Sequence, residues 1–234
     1  EVFDDFTEVQ RTGAVEAIAV LAKKLRPDVI YFPSVGMFPL TIALTNLRLA
    51  PLQIMALGHP ATTHASYIDA GLVEEDYLGD PRCFSEKVVS LPKDCLPYVP
   101  PANIRPPEPV QHFDERSAVH IAVCASAMKI NPRFIATCAE IAQRTSTPVI
   151  FHFLVGFCWG ITHRVMEKAI NAVIPQAKIY EHLAYQDYLL IINQCDLFIN
   201  PFPFGNTNGI VDTVRQGLPG VCLSGAEVHE HIDE

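Results

Sequence analysis

The sequence has no apolar run approaching the roughly 18 residues that a membrane-spanning helix needs. Its richest apolar stretch, Ala14 to Ala22, is broken by Glu16 and followed by Lys23 and Lys24, so no membrane span is expected. It also lacks a basic stripe. Lys and Arg number 17 against 26 Asp and Glu, a net charge of −9. The acid is spread evenly, with 9 basic and 14 acidic groups in residues 1–110 and 8 and 12 in the remainder. Nothing here neutralises a phosphate backbone, which excludes a nucleic-acid polymer as partner. No C-x-x-C pair occurs among the seven scattered cysteines; the pattern reads as reduced thiols in a cytoplasm, not a disulfide framework. No signal peptide opens the chain. It starts at Glu1 without Met and stops at Glu234 in a polar run, so both ends read as cut. Neither G-x-G-x-x-G nor G-x-x-x-x-G-K-[ST] is present, which speaks against dinucleotide and P-loop sites.

What is present is enough apolar sequence to fold. The 234 residues are 49% hydrophobic and 18% charged, which excludes a disordered acidic tail. One composition shift stands out. Pro92, Pro97, Pro100, Pro101, Pro106, Pro107 and Pro109 fall between Leu91 and Val110. Proline fixes φ and removes an amide donor, so neither a helix nor a central strand runs through such a segment. It reads as a linker over 92–117 between a first domain, 1–91, and a second, 118–234.

Each part alternates strand and helix signals. The first predicts a helix over 7–25, a strand over 28–32, a helix over 38–46, and strands over 52–57, 70–73 and 87–90. The second predicts strands over 119–124, 149–153, 177–180 and 197–200, and helices over 132–143, 161–173, 185–193 and 209–216. Short continuous apolar strands separated by helices imply an α/β fold with parallel, doubly wound sheets. Ligands then bind at the carboxyl ends of the strands, in the loops after Phe32, Leu57, Cys124, Phe153, Tyr180 and Asn200.

Three of those loops carry chemistry. In Asn200-Pro-Phe-Pro-Phe-Gly-Asn-Thr-Asn-Gly209 a strand ends, a Pro-rich turn follows, and Asn206, Thr207 and Asn208 are good helix N-caps. Free amides at a helix start bind anions, although any capped helix offers them. Asp212, one turn inside, suits ribose hydroxyls. In Ala125-Ser-Ala-Met-Lys-Ile-Asn-Pro132 a lone Lys129 beside Ser126 is either a point charge for a diphosphate or a solvated loop lysine. In Gly58-His-Pro-Ala-Thr-Thr-His64 two histidines are general base and orienter, or, with no third ligand near, less suited metal ligands. His152, inside an apolar strand, reads as a hydrogen-bonded core residue. His229 and His231 read as a polar surface turn, and Phe202 and Phe204 as packing for their turn. No D-x-D clamp for a metal-bound nucleotide-sugar occurs; Glu74-Glu75-Asp76 is the nearest approach. A diphosphate bound here must be neutralised by Lys129 and helix amides without a metal.

The segments YFPSVGMFPLT (31–41), LGHPATTH (57–64), VEEDYLGDP (73–81), LPKDCLPYVP (91–100), MKINP (128–132), NPFPFGNTNGIVD (200–212) and GAEVHEHIDE (225–234) resemble the bacterial cytoplasmic N-glycosyltransferases that glucosylate asparagines of adhesins. These HMW1C-like proteins belong to glycosyltransferase family forty-one with the O-GlcNAc transferases, to which the similarity is more distant. The resemblance covers essentially the whole chain. It implies a GT-B fold of two Rossmann-like domains with a cleft between them, the first domain incomplete and the second lacking its C-terminal end. It implies an inverting, metal-independent cytoplasmic enzyme with no cofactor beyond its donor, UDP-glucose or another UDP-hexose. The acceptor is the Asn amide of N-x-[ST] in a protein, a secreted adhesin. By the same resemblance Lys129 pairs with the diphosphate, Asn206, Thr207, Asn208 and Gly209 cradle the phosphates, and Asp212 holds the ribose. His59 faces donor sugar and acceptor, and His182 lies near the nucleotide. Where the family carries a polar G-Q-x-x-G, this chain has Gly156-Phe-Cys-Trp-Gly160. Two other readings stay open: a non-catalytic UDP-binding chain, and a transferase that uses a Ser or Thr hydroxyl.

Overall fold

A computed structural model describes residues 4–10, 12–95, 99, 113 and 117–232. Most of the Pro-rich segment expected as a linker lies outside the described residues. The chain divides into two compact units, Glu1–Pro97 with Ala226–Ile232, and Tyr98–Gly225. The sequence reading placed 226–232 with the second part. The backbone explains the difference: the Asp80 N–H donates to the Ala226 carbonyl at 2.7 Å, and Gly79 leaves room for that carbonyl where a Cβ would meet it.

The first unit opens with α1 (Ala14–Leu25), shorter than the expected helix over 7–25. Gly13 sits at its N-cap with φ 70°, a left-handed conformation that glycine adopts at little cost, and the helix begins after it. Strand β1 (Val29–Phe32), helix α2 (Pro39–Thr45), and strands β2 (Leu52–Ala56), β3 (Ala70–Glu74) and β4 (Lys87–Leu91) follow. The four strands pair in parallel in the order β1-β2-β3-β4. Phe32 and Met55 point to the face covered by α1 and α2, where they pack with Val35, Leu44 and Ile68. The side chains of alternate residues point the other way, and there Val29, Tyr31, Leu52 and Val89 are exposed.

The second unit is covered on both faces. Its elements are β5 (Val119–Ser126), α3 (Pro132–Arg144), β6 (Val149–Gly156), α4 (Gly160–Asn171), β7 (Lys178–Tyr180), α5 (Tyr185–Gln194), β8 (Leu197–Ile199), α6 (Thr207–Arg215) and β9 (Gly220–Val221). The parallel sheet runs β7-β6-β5-β8-β9. On one face Ile121, Val123, Phe151, Phe153 and Val155 pack with Phe134 and Cys138 of α3 and Ile170 of α4. On the other, Ala122, Cys124, Leu154 and Phe198 meet Leu189 and Ile192 of α5. The chain leaves β5 in one direction along the sheet and β8 in the other. This reversal opens a crevice outside the carboxyl ends of those two strands. The sequence reading found every strand but the two-residue β9. It also took 229–231 for a surface turn, where helix α7 (Val228–His231) forms on a Glu227–Glu230 capping box.

His152 is buried as expected. Its Nδ1 lies 2.9 Å from the Tyr180 hydroxyl and its Nε2 lies 2.8 Å from His120 Nδ1. Phe113 stacks on both rings at 4.5 and 4.4 Å. Burial, followed by the proximity of His120 and Lys178, pushes the pKa of His152 down to about 3. The unfolded chain therefore takes up this proton first, near the ordinary histidine pKa, and stability is lost as pH falls from there toward the folded value. One such group gives a slope of at most about 1.4 kcal/mol per pH unit. Urea unfolding at pH 7 and pH 5 should show a loss of about 2 kcal/mol from this source. His152→Gln should flatten the dependence; an unchanged slope would rule this histidine out as its origin.

Candidate functional site

The crevice is built by the ends of β5 and β8. Past Ser126 a short 3-10 turn, Ala127–Lys129, carries Lys129 toward the loop that follows β8. Lys129 Nζ donates to the Gly205 carbonyl at 2.6 Å, lies 3.4 Å from Asn206 Oδ1, and sits over the Phe204 ring at 5.0 Å. Asn131 caps α3 by accepting from the Phe134 N–H at 3.0 Å, and its amide donates to the Phe202 carbonyl at 2.6 Å. The two loops are thus sewn together by side chains from one onto backbone of the other. Phe202 packs edge-on against Phe134 at 5.6 Å, the packing role expected of it.

Asn206 occupies the N-cap position of α6 without capping it by a side-chain hydrogen bond. Its amide turns instead to the Cys124 carbonyl on β5. The Asn206 side chain thus leaves the first amides of α6 uncapped, at the positive end of the helix dipole. Gly209 allows the close approach. A Cβ there would stand 3.0 Å from the Cys124 carbonyl oxygen and closer still to the Asn206 side chain.

Beside this junction lies a cavity of about 360 Å³ lined by Leu154 to Gly156, Glu181 to Tyr185, Tyr188 and Asp212, within the size range of small-molecule sites. Asp212 accepts a hydrogen bond from the Tyr185 hydroxyl. Burial raises its pKa, while bonds from Tyr185 and Tyr188 and the charge of Arg215 oppose the rise. Burial also raises the pKa of the Tyr188 hydroxyl, keeping it a donor. His182 lines the same cavity. Its Nδ1 accepts from the Phe157 N–H at 3.3 Å, and its ring stacks on Phe157 at 5.3 Å with Trp159 edge-on at 4.9 Å. Phe157 has φ 56° and is 77% exposed.

Of the residues picked from the sequence, Ser126, Lys129, Asn206, Thr207, Asn208 and Gly209 gather at the β5–β8 junction, and His182 and Asp212 line the adjoining cavity. His59 belongs to the first unit. Its ring lies against Gly36, where a Cβ would be 2.6 Å from it, and His64 is tied through its N–H to Ser85 Oγ at 3.2 Å. The sequence reading missed Tyr185 and Tyr188. Their spacing of three on the helix after β7, facing a flagged strand end, was the available signal. Among the described residues no group of three His, Cys, Asp or Glu side chains is placed to hold a metal ion, and no helix is long and apolar enough to cross a membrane.

The tight seat of α6 on β5 has a measurable consequence. Gly209→Ala should destabilise the chain by about 1–3 kcal/mol in urea unfolding. Gly156→Ala, where an added Cβ meets nothing within 4 Å, should change stability little. Equal effects would remove the close approach as the reason for glycine at 209.

No family model matches the chain. Among curated proteins, the UDP-glucose:protein N-beta-glucosyltransferases of Actinobacillus pleuropneumoniae serotype 5b (strain L20) and serotype 7 (strain AP76) are each 45% identical to it over 240 aligned residues. Those alignments take in all of this chain and 38% of each relative. Among solved structures, a Thermobaculum terrenum O-GlcNAc transferase mutant superposes with a TM-score of 0.72 at 18% identity, covering 93% of this chain and 42% of that one. That likeness establishes the GT-B type of α/β fold. The chain is similar from end to end to the UDP-glucose:protein N-beta-glucosyltransferases and spans 38% of their length.

Proposed function

We propose that the chain forms the UDP-sugar-binding unit, and part of the acceptor-side unit, of an inverting, metal-independent protein glycosyltransferase. In this reading it moves glucose from UDP-glucose to Asn side chains in N-x-[ST] sequences of an acceptor protein, a secreted adhesin. The observation that carries the reading is the convergence of Lys129, the start of α6 and a nucleoside-sized cavity at the reversal point of one parallel sheet. Similarity along the whole chain to proteins named for UDP-glucose supports the donor. A cytoplasmic setting suits free thiols buried at Cys124, Cys138, Cys158 and Cys195.

The roles follow from the chemistry. The cavity takes the nucleoside, with Asp212 exchanging its Tyr185 partner for a ribose hydroxyl and His182 beside the nucleotide. Ser126, Thr207, Asn208 and Gly209 turn toward the diphosphate with Asn206 fixing their position. As the bond to the anomeric carbon breaks, negative charge grows on the β-phosphate. Lys129 and the α6 amides are already oriented to meet it, and preorganised charge of this kind is commonly the largest single contribution to catalysis. His59, on the first unit, serves the acceptor. A neutral amide is a poor nucleophile, so the histidine orients it and receives its proton late in transfer.

A second reading rests on Phe157. An exposed aromatic ring at the rim of the cavity, where the family carries a glutamine, favours a different hexose or a chain that binds UDP without transferring sugar.

In the polypeptide at its natural length, Lys129→Ala should lower transfer from UDP-glucose to an N-x-[ST] peptide by about a hundredfold or more. Its circular dichroism should stay that of the parent, with thermal unfolding lowered by at most about a few degrees through loss of the bond to the Gly205 carbonyl. Transfer at the parent rate would remove Lys129 from the mechanism. Tight UDP binding by calorimetry without transfer from any UDP-hexose would leave the binding-only reading. Transfer to a Ser peptide in preference to Asn would move the acceptor to a hydroxyl.

A further inference from the structure

A buried carboxylate stands in the first unit with no part in the chemistry so far. Glu86 is 7% exposed and immediately precedes β4. One oxygen accepts from the Thr62 hydroxyl at 2.7 Å; the other accepts from the Thr63 N–H at 2.8 Å and from the Thr63 hydroxyl. Ser85 beside it extends the contact, its N–H donating to Thr62 Oγ1 at 2.9 Å and its Oγ accepting from the His64 N–H at 3.2 Å. Burial alone would raise the pKa of Glu86, but the bonds from Thr63 and Thr62 outweigh it and the carboxyl is held below its ordinary value. A buried charge is costly unless its lone pairs are used, and here they are used on one short segment.

That segment begins with His59. Between His59 and Thr62 stand only Pro60 and Ala61. The Ala61 N–H donates to the His59 carbonyl at 2.8 Å, closing a tight turn. On the other side of His59 the Gly58 N–H donates to the Pro33 carbonyl at 3.1 Å, and the His59 ring rests on Gly36. The histidine is therefore fixed from the front by the loop after β1. From behind it is fixed by a rigid turn whose far end is clamped to Glu86. Without the carboxylate, the half-buried Thr63 loses the acceptor of its N–H and hydroxyl, Thr62 keeps only Ser85, and that far end is released.

We infer that Glu86 is a positioning residue for His59, acting through Thr62 and Thr63 to hold the histidine in its working orientation. The inference rests on the role given to His59 above. It assigns to Glu86 an effect on turnover and none on donor affinity.

The test is a double-mutant cycle in the polypeptide at its natural length, read as transfer to an N-x-[ST] peptide. Glu86→Ala should lower kcat by about thirtyfold, leave KM for UDP-glucose unchanged, and cost nothing further in a His59→Ala background, since a residue that works only through another is silent once that other is gone. Glu86→Gln keeps an acceptor for the Thr63 N–H and should recover most of the rate; it also carries the cycle if the alanine variant fails to fold. An unchanged kcat in Glu86→Ala, a matching rise in donor KM, or a loss equally large with and without His59 would overturn the positioning role. Full activity of His59→Ala alone would overturn that role together with the one proposed for His59. UDP affinity, measured by calorimetry on the same variants, tests the donor site separately.

Discussion

The Asn206 side chain, bound to the Cys124 carbonyl, and the Lys129 ammonium, bound to the Gly205 carbonyl, join the loop after β8 to the end of β5. Strand ends in a parallel sheet do not hold their loops in place, because the ladder stops there and the last carbonyls need other partners. Asn206 supplies one to the Cys124 carbonyl of β5, and Lys129 ties down Gly205 within the loop. In doing so they set the start of α6 over the crevice and take Asn206 away from its usual capping duty. The helix is left with amides facing outward, and Gly209 is required where its first turn touches β5. The cavity next to it takes its polar wall from Asp212 on the same helix, so its shape also depends on where that helix begins.

The same economy of polar groups recurs in the first unit. Glu86 spends its lone pairs on Thr62 and Thr63, as Asn206 spends its amide on Cys124. In both places a polar side chain ties one segment of the chain to another. The two carboxylates differ in kind. Glu86 is satisfied by protein donors and held ionised, a structural tie. Asp212 is half-buried, raised by burial, and bonded to tyrosine hydroxyls that a ligand hydroxyl can replace.

Much of the fold was legible in the sequence. The continuous apolar strands of the second unit, Val119–Ser126 and Val149–Gly156, signal burial on both faces, and both faces are covered. The helix expected from residue 7 was drawn too long because apolar spacing extends past Gly13, while only the backbone shows that glycine in a left-handed turn. The return of 226–232 to the first unit was invisible, since it shows only in contacts between residues far apart in the chain, such as the Asp80 N–H on the Ala226 carbonyl. The candidate site was legible where chemistry and strand ends coincide, at Lys129, Asn206 to Gly209 and Asp212. It was not legible at Tyr185, Tyr188 and Glu86. An aromatic helix face and a carboxylate before a strand look like ordinary packing and ordinary surface until their partners are seen. The capping role expected of Asn206 fits its residue type, but its amide nitrogen donates to the Cys124 carbonyl on β5 and its oxygen faces Lys129 instead of a backbone N–H of α6.

The central claim is that the β5–β8 junction recognises a diphosphate and not merely a nucleoside. Calorimetric titration of the chain with uridine, UMP and UDP tests it most directly. If Lys129 and the first amides of α6 receive the phosphates, affinity should rise with each phosphate, and UDP should bind at least about tenfold more tightly than uridine, the gap narrowing as salt is raised. Equal affinity for all three, or no binding of UDP at all, would contradict it.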